Sequence, residues 1–224
     1  MMSSRDAILG RIRRSLDVSG TDATRLAAAR HRLVETPVNV VPARGQLPDA
    51  ERVELFVRKA GDVFASVARL DKRDDIPAAV ADYLRTRNLP QAIRHGSDPR
   101  LAGLPWGREA QLAVTVGPSD GKDLAGLSYA DSGVAETGTV VLTSGQDNPT
   151  TLNFLPDHHI VAVDASTIAG DYETVWTNLR RRFGAGAMPR TVNFITGPSR
   201  SADIEETLLL GAHGPRSLHI LVVG

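Results

Sequence analysis

The most informative absence in this sequence of 224 residues is cysteine, of which there is none. Without thiols the chain forms no disulfide, no thiolate zinc site and no cysteine-ligated iron–sulfur cluster. If the protein takes part in electron transfer, another subunit must hold any cluster. The histidines also lack the spaced histidine or carboxylate partners that a metal ion needs, so we predict no metal site.

An excess of charge is absent as well, because 26 Lys and Arg residues balance 26 Asp and Glu residues. Such a chain has no global attraction to nucleic acid or to an anionic membrane. No apolar run reaches the roughly 18 residues of a membrane span. The arginine-rich first 16 residues lack the apolar core of a secretory signal. These absences predict a cytoplasmic protein that has no membrane span and does not bind nucleic acid.

The N-terminal region shows two helical patterns. Ile8, Ile12 and Leu16 fall on one face of a first helix, which Ser4 can cap, and a second helix is predicted over about 22–35. Residues 36–48 contain three prolines and a glycine and are the best linker candidate. We therefore predict an N-terminal helical arm, 1–36, and an α/β domain, 49–224.

From residue 49 onward, helical patterns alternate with short β-branched runs. Helices are predicted to begin near Asp49, Asp75 and Asp171. Strands are predicted at 63–70, 91–94, 112–116, 139–143, 159–163, 191–195 and 218–223. The alternation predicts a three-layer α/β/α fold with a mainly parallel sheet. Residues 117–131 are interpreted as a long, glycine-rich, polar connection.

The first candidate site segment surrounds Glu136 just before a predicted strand. Thr137, Gly138 and Thr139 follow it, and Gly138 permits a tight turn or the close approach of a ligand. A carboxylate at a strand end can act as a nucleophile, as a base or as an anchor for hydroxyl groups. The alternative is a carboxylate that accepts backbone N–H bonds in a turn.

The second segment follows the predicted strand that ends at 195. Gly197, Ser199, Arg200, Ser201 and Asp203 lie within seven residues, after Thr196. Backbone N–H groups, hydroxyls and a guanidinium suit a phosphate or a carboxylate. In the alternative, Arg200 pairs with Asp203 or Glu205 and organises the turn.

The third segment places His213 between glycines, just before the last predicted strand. Its position makes it the best general acid or base among the six histidines, although a structural use of the ring remains open. His158 and His159 are adjacent in a strand and therefore point to opposite faces, which argues against a shared metal ion.

Four segments in order resemble one family: Ala-Asp-Ser-Gly-Val-Ala-Glu-Thr-Gly-Thr (130–139), Leu-Pro-Asp-His-His-Ile (155–160), Gly-Pro-Ser-Arg-Ser-Ala-Asp-Ile-Glu (197–205) and Gly-Ala-His-Gly-Pro (211–215). The sequence is similar to the lactate-utilisation protein C family, which carries the LUD domain. Ser201 stands where the family commonly has Thr, and Ser132 where a bulkier residue is frequent. The resemblance implies a fold like that of coenzyme A transferases and sugar-phosphate isomerases.

The resemblance also implies a functional context. Family members accompany two iron–sulfur proteins in oxidising L-lactate to pyruvate, so iron–sulfur clusters are expected on partner subunits and no cofactor within this chain. In this context Arg200 and Ser199 would hold a small anion, while Glu136 and His213 would orient it or exchange a proton with it.

Two alternative functions stay open. One is a stand-alone enzyme of coenzyme A-transferase or isomerase type, in which Glu136 would form a covalent adduct; this rests on analogy of fold alone. The other is a non-catalytic assembly subunit, whose N-terminal arm carries the contacts.

Overall fold

The structure, a computed structural model, describes residues 3–184, 186–201 and 209–224. It divides into two compact units, Met1–Asn39 and Val40–Gly224. In the described part of the chain, no helix combines the length and apolar character needed to cross a bilayer.

The first unit contains helices α1 (Ser4–Ser15) and α2 (Ala23–Val34). Ser3, not the predicted Ser4, caps α1 by accepting a hydrogen bond from the Asp6 backbone N–H. Asp22 caps α2 in the same way. Both apolar faces are exposed; the side chains concerned include Ile8, Ile12, Leu16, Leu33 and Val34.

The second unit contains five α-helices and twelve strands among the described residues. Its helices are α3 (Asp49–Asp62), α4 (Ile76–Thr86), α5 (Pro99–Ala102), α6 (Thr150–Phe154) and α7 (Tyr172–Phe183). Its strands are β1 (Ser66–Leu70), β2 (Ala92–His95), β3 (Ala113–Val116), β4 (Ala125–Tyr129), β5 (Ser132–Val134), β6 (Thr139–Thr143), β7 (His158–Asp164), β8 (Ile168–Ala169), β9 (Val192–Ile195), β10 (Arg200–Ser201), β11 (Leu209–Leu210) and β12 (Ser217–Val223).

The central sheet has six strands in the order β1-β12-β7-β4-β2-β3, and every pairing in it is parallel. Its middle strands β7 and β12 are almost fully buried, as expected for strands that are covered on both faces. Helix α4 packs Ile76, Val80 and Leu84 against one face. Helix α3 packs Leu55 and Phe56 against the other. The predicted three-layer α/β fold with a mainly parallel sheet is confirmed.

A second sheet was not anticipated from the sequence. It has the order β8-β5-β6-β9, with antiparallel pairs between β5 and β6 and between β6 and β9. Helix α7 covers it through Val175 and Leu179. The strands at 139–143 and 191–195 were predicted correctly, but they belong here, because periodicity indicates a strand without indicating its sheet.

The interpretation of 117–131 as one long connection was wrong, because it contains strand β4. This strand is fully buried between β2 and β7. Its sequence Ala-Gly-Leu-Ser-Tyr has little intrinsic β-propensity. The fold selects it through packing: Gly126 lies so close to Pro156 and the Leu152 carbonyl that a larger residue would not fit.

Candidate functional site

Residues from the second and third predicted segments meet at a pocket of about 240 Å³. The pocket lies at the amino ends of the central strands β7 and β12, and we call it the amino-edge pocket. Its polar side chains are Asn153, His159, Thr196, Ser199 and His213, and Gly197 also lines it. The sequence therefore predicted Gly197, Ser199 and His213 as members of one site, and the structure brings them together.

Backbone geometry fixes the two loops of this pocket against each other. Gly197 has a φ of +74°, and a Cβ there would clash with the Val63 carbonyl, so only glycine fits. The Ser199 N–H donates to the Pro215 carbonyl over 2.8 Å, and the Gly211 N–H donates to the Ser199 carbonyl over 2.9 Å. Ser199 is thereby held at the wall of the pocket.

The Ser199 hydroxyl can donate a hydrogen bond to a ligand. Its Oγ accepts a hydrogen bond from the His213 backbone N–H over 3.3 Å. A hydroxyl that accepts one hydrogen bond can still donate its own proton, so the Ser199 O–H can donate to a ligand. The His213 side chain is exposed at the mouth of the pocket.

Arg200 lies outside the lining of the amino-edge pocket. Its guanidinium stacks on the ring of Phe64, 5.0 Å from the ring centre. In the antiparallel pair of β10 and β11, Arg200 lies opposite Leu210, and Ser201 lies opposite Leu209. Asp203 and Glu205 lie outside the described residues. The alternative in which one of them pairs with Arg200 therefore stays a prediction.

Glu136 is also absent from the lining of this pocket. Its carboxylate is buried and forms an ion pair with Arg44 over 3.3 Å. Its backbone N–H donates to the Gly170 carbonyl over 3.2 Å. The ion pair binds the segment before α3 to the second sheet, and Gln46 of the same segment donates to Asp171. The structure therefore does not bring Glu136 and His213 into one cavity.

A cluster of hydroxyls connects the first segment to the amino-edge pocket. Thr139 is fully buried, and its Oγ1 lies 2.7 Å from the Thr137 Oγ1 and 2.6 Å from the Thr196 Oγ1. The Tyr172 hydroxyl lies 3.0 Å from both Thr137 and Thr139. Thr196 then lines the pocket. A tyrosine that packs in a helix stripe needs a partner for its hydroxyl, and the two threonines supply it.

The inner wall of the pocket was missed by sequence reasoning. Asn153 and His159 line it, and each side chain is only 1% exposed. Ser128, on the neighbouring strand β4, lies 3.0 Å from the amide oxygen of Asn153 and 3.0 Å from the His159 Nε2. Burial lowers the pKa of His159 to about 3, so its ring is neutral at neutral pH. The one available signal was a pair of histidines entering an otherwise apolar strand.

A larger groove of about 630 Å³ lies between α7 and residues 166–171. Its charged side chains already have partners in the protein. Asp131 pairs with Arg182, the Asp171 carboxylate accepts from Gln46 and Thr174, and Arg52 donates to the Ile168 carbonyl. In the amino-edge pocket, two buried polar atoms have no hydrogen-bonding partner in the described part of the chain, so this pocket is the better candidate for a ligand site.

Comparisons with known proteins agree with the ordered motifs. Residues 53–223 match the LUD domain family model. The chain is 40% identical over 99 residues to Lactate utilization protein C of Halalkalibacterium halodurans, an alignment that covers 43% of each chain. It is 30% identical over 191 residues to the uncharacterized protein YkgG of Escherichia coli K12, covering 80% of this chain and 82% of that protein. The chain thus matches less than half the length of its Lactate utilization protein C relative.

A solved structure shows the same fold. The crystal structure of a DUF162 family protein from Deinococcus radiodurans superimposes with a TM-score of 0.55 and 24% identity, covering 80% of this chain and 99% of that one. At this identity the likeness concerns the fold alone. Because the family model spans most of the chain and includes all four motifs, the chain belongs to the LUD-domain family, as the motifs predicted.

Proposed function

We propose that this protein is a component of a system that oxidises L-lactate to pyruvate together with iron–sulfur partner proteins, and that its amino-edge pocket binds a small carboxylate. The names of the Lactate utilization protein C relatives support the metabolic role. The lack of cysteine agrees with clusters held by partners. The observation that carries the ligand proposal is the convergence of Ser199 and His213 with buried, unpaired polar atoms.

The pocket supplies a donor and a proton-transfer group. The free O–H of Ser199 donates to a carboxylate oxygen, and the imidazole of His213 at the mouth exchanges a proton with the ligand. Arg200 adds positive charge beside the pocket from its position over Phe64. Glu136 acts indirectly in this scheme, because its carboxylate is engaged with Arg44.

Thermal unfolding of the full chain tests ligand binding. L-lactate or pyruvate at about 100 times its Kd should stabilise the protein by roughly 2.7 kcal/mol. Ser199→Ala and Arg200→Ala should weaken this effect. Ser166→Ala, at an exposed serine in the larger groove, should leave it unchanged. Melting that does not respond to lactate, pyruvate or acetate would contradict the ligand proposal.

Growth on lactate tests the metabolic role. A strain that lacks this chain should fail to grow on lactate and should recover with the wild-type chain. His213→Ala and Arg200→Ala should complement poorly. Glu136→Gln keeps a hydrogen bond to Arg44 and should complement better than Glu136→Ala. Normal growth of the deleted strain would remove the proposed role.

An assembly role is favoured by one separate observation, the exposed apolar side chains of α1 and α2. If the first unit docks a partner, deletion of residues 1–36 should abolish co-purification with the iron–sulfur proteins. Leu33→Glu on the full chain should have the same effect, since a charge opposes apolar docking. If co-purification is unchanged by both the deletion and the substitution, the assembly role is contradicted.

A further inference from the structure

The polar trio Ser128, Asn153 and His159 contains two atoms without a hydrogen-bonding partner among the described residues. They are the His159 Nδ1 and the Asn153 Nδ2. A buried polar atom that lacks a partner destabilises the folded state, so two of them in one pocket wall need an explanation. Both side chains line the amino-edge pocket, where a ligand can supply the missing partners.

The protons of the trio determine what each atom offers. The Ser128 hydroxyl has one proton, and it donates this proton to the Asn153 Oδ1 over 3.0 Å. The His159 Nε2, 3.0 Å from the same hydroxyl, must therefore be the protonated nitrogen and donate to the Ser128 Oγ. The His159 Nδ1 is then an acceptor, while the Asn153 Nδ2 is a donor.

The directions of the two hydrogen bonds within the trio depend on each other. If the Asn153 amide turns over, its Nδ2 donates to Ser128, Ser128 donates to the His159 Nε2, and the proton moves to the Nδ1. The unmet atoms are then the Nδ1 donor and the Oδ1 acceptor. Because the buried ring stays neutral, it never donates from both nitrogens. In either arrangement the trio leaves one donor and one acceptor unmet.

We propose that this trio is a subsite that selects 2-hydroxy carboxylates over 2-oxo carboxylates. The proposal rests on the proposed binding of a small carboxylate in the same pocket. A 2-hydroxy carboxylate offers a hydroxyl donor beside carboxylate acceptors and so satisfies both unmet atoms. A 2-oxo carboxylate offers acceptors only, and it leaves the acceptor of the trio facing another acceptor.

The ligand must reach atoms that lie beneath the pocket wall, since less than 1 Å² of each is exposed. Phe154 follows Asn153 in α6, lines the same pocket and is 41% exposed. An exposed side chain beside Asn153 can turn away from the pocket without unpacking the hydrophobic core. Binding therefore involves a local opening at Phe154 and places the hydroxyl of the ligand inside the wall.

Calorimetric titration of the full chain with three matched ligands tests the selection. L-lactate offers a donor and acceptors, whereas pyruvate and 2-methoxypropanoate have no hydroxyl donor. Lactate should bind about tenfold more tightly than either, as expected when one buried acceptor stays unmet. Equal binding of the three would overturn the inference and leave the proposed carboxylate site standing. Binding of none would overturn both.

Two variants separate the trio from the rest of the pocket. Ser128→Ala uncouples the imidazole from the amide, so the ring can carry its proton on either nitrogen and donate to a 2-oxo group. The ratio of the affinities for lactate and pyruvate should then fall from about ten towards one. Ser199→Ala should weaken both ligands equally and keep the ratio. A ratio that survives Ser128→Ala would overturn the inference.

A measurement on the wild-type chain avoids any change in folding. Nitrogen-15 NMR of the His159 ring should show one protonated and one unprotonated nitrogen at neutral pH. Lactate should shift the Nδ1 resonance more than pyruvate does. A doubly protonated ring, or identical shifts with the two ligands, would overturn the inference.

Discussion

Gly138 shows how a single residue sets the approach of two elements. It has a φ of +69°, and a Cβ there would overlap the backbone of Lys59 and Ala60 at the end of α3. The sequence predicted a tight turn or the close approach of a ligand at this position. The structure supplies a close approach by the protein's own helix.

We expect Gly138→Ala to lower the free energy of unfolding by about 3 kcal/mol. The left-handed backbone accounts for about 1–2 kcal/mol and displacement of α3 for the rest. Gly121→Ala is the matched control, because Gly121 has a φ of +89° and open space around it. Urea unfolding should show a clearly smaller loss for Gly121→Ala. Equal losses would mean that the contact with α3 contributes nothing.

At the scale of single elements, helix α7 depends on its N-cap residue, Asp171. The Asp171 carboxylate accepts from the Thr174 N–H over 2.8 Å, from the Thr174 hydroxyl over 2.9 Å and from the Gln46 amide over 2.8 Å. Burial acts to raise the pKa of this carboxyl, but these hydrogen bonds outweigh it and hold the pKa below its usual value. One side chain thus caps α7 and also binds Gln46, in the segment before α3.

Asp171→Ala should cost about 2 kcal/mol in the free energy of unfolding, since it removes the cap and leaves Gln46 without this partner. Asp171→Asn keeps an oxygen for the Thr174 N–H and should lose less than half as much. Chemical denaturation of the two variants beside the wild type measures the difference. If both variants lose equally, the negative charge rather than the cap stabilises α7.

At the scale of the whole molecule, the hydrophobic clusters of the described residues draw only on positions from Leu47 to Val223. The unit Val40–Gly224 therefore contains its own core. We expect a chain that begins at residue 40 to fold, with a cooperative thermal transition. A chain that begins at residue 49 should be less stable by about 2 kcal/mol or more, because it lacks the bonds of Arg44 and Gln46. Equal stability of the two truncated chains would contradict this expectation.

The stability of the whole molecule should also depend on pH through buried histidines. Burial lowers the pKa of His159 to about 3 and, together with the nearby Arg87 charge, that of His219 to about 4. The unfolded chain binds these protons first, near pH 6.5. Stability should therefore be constant above this pH and fall as the pH drops from about 6.5 towards 4.

By linkage each histidine should cost about 2 kcal/mol at pH 5 relative to pH 7.5. Urea unfolding at pH 7.5, 6 and 5 measures the loss. His219→Phe keeps an aromatic ring over Tyr83 and should remove about one histidine's share of the pH dependence. His31→Phe, at an exposed histidine of the first unit, should not change it. A wild-type chain that is equally stable at all three pH values would refute this assignment.

The sequence predicted best where the physical cause is local. The cap of α7 and the apolar stripes of α3 and α7 come from residues within one or two helical turns, so their positions could be predicted. The loop at Gly197 was also predicted from a short motif, whereas its contact with His213 was found only in the tertiary structure. Strand β4 could not be predicted, because its residues are weak strand formers that gain stability only from β2 and β7.

By itself the sequence determined the family, the α/β class, the absence of thiol chemistry and the two loops that carry Gly197, Ser199 and His213. The tertiary structure alone decided that β6 and β9 form a second sheet, that Glu136 pairs with Arg44, and that the inner wall of the pocket belongs to Asn153 and His159. The physical reason is sequence separation. Ser128, Asn153 and His159 lie on three different elements, and only the parallel pairing of β4 with β7 and the packing of α6 against both strands place their polar atoms within hydrogen-bonding distance.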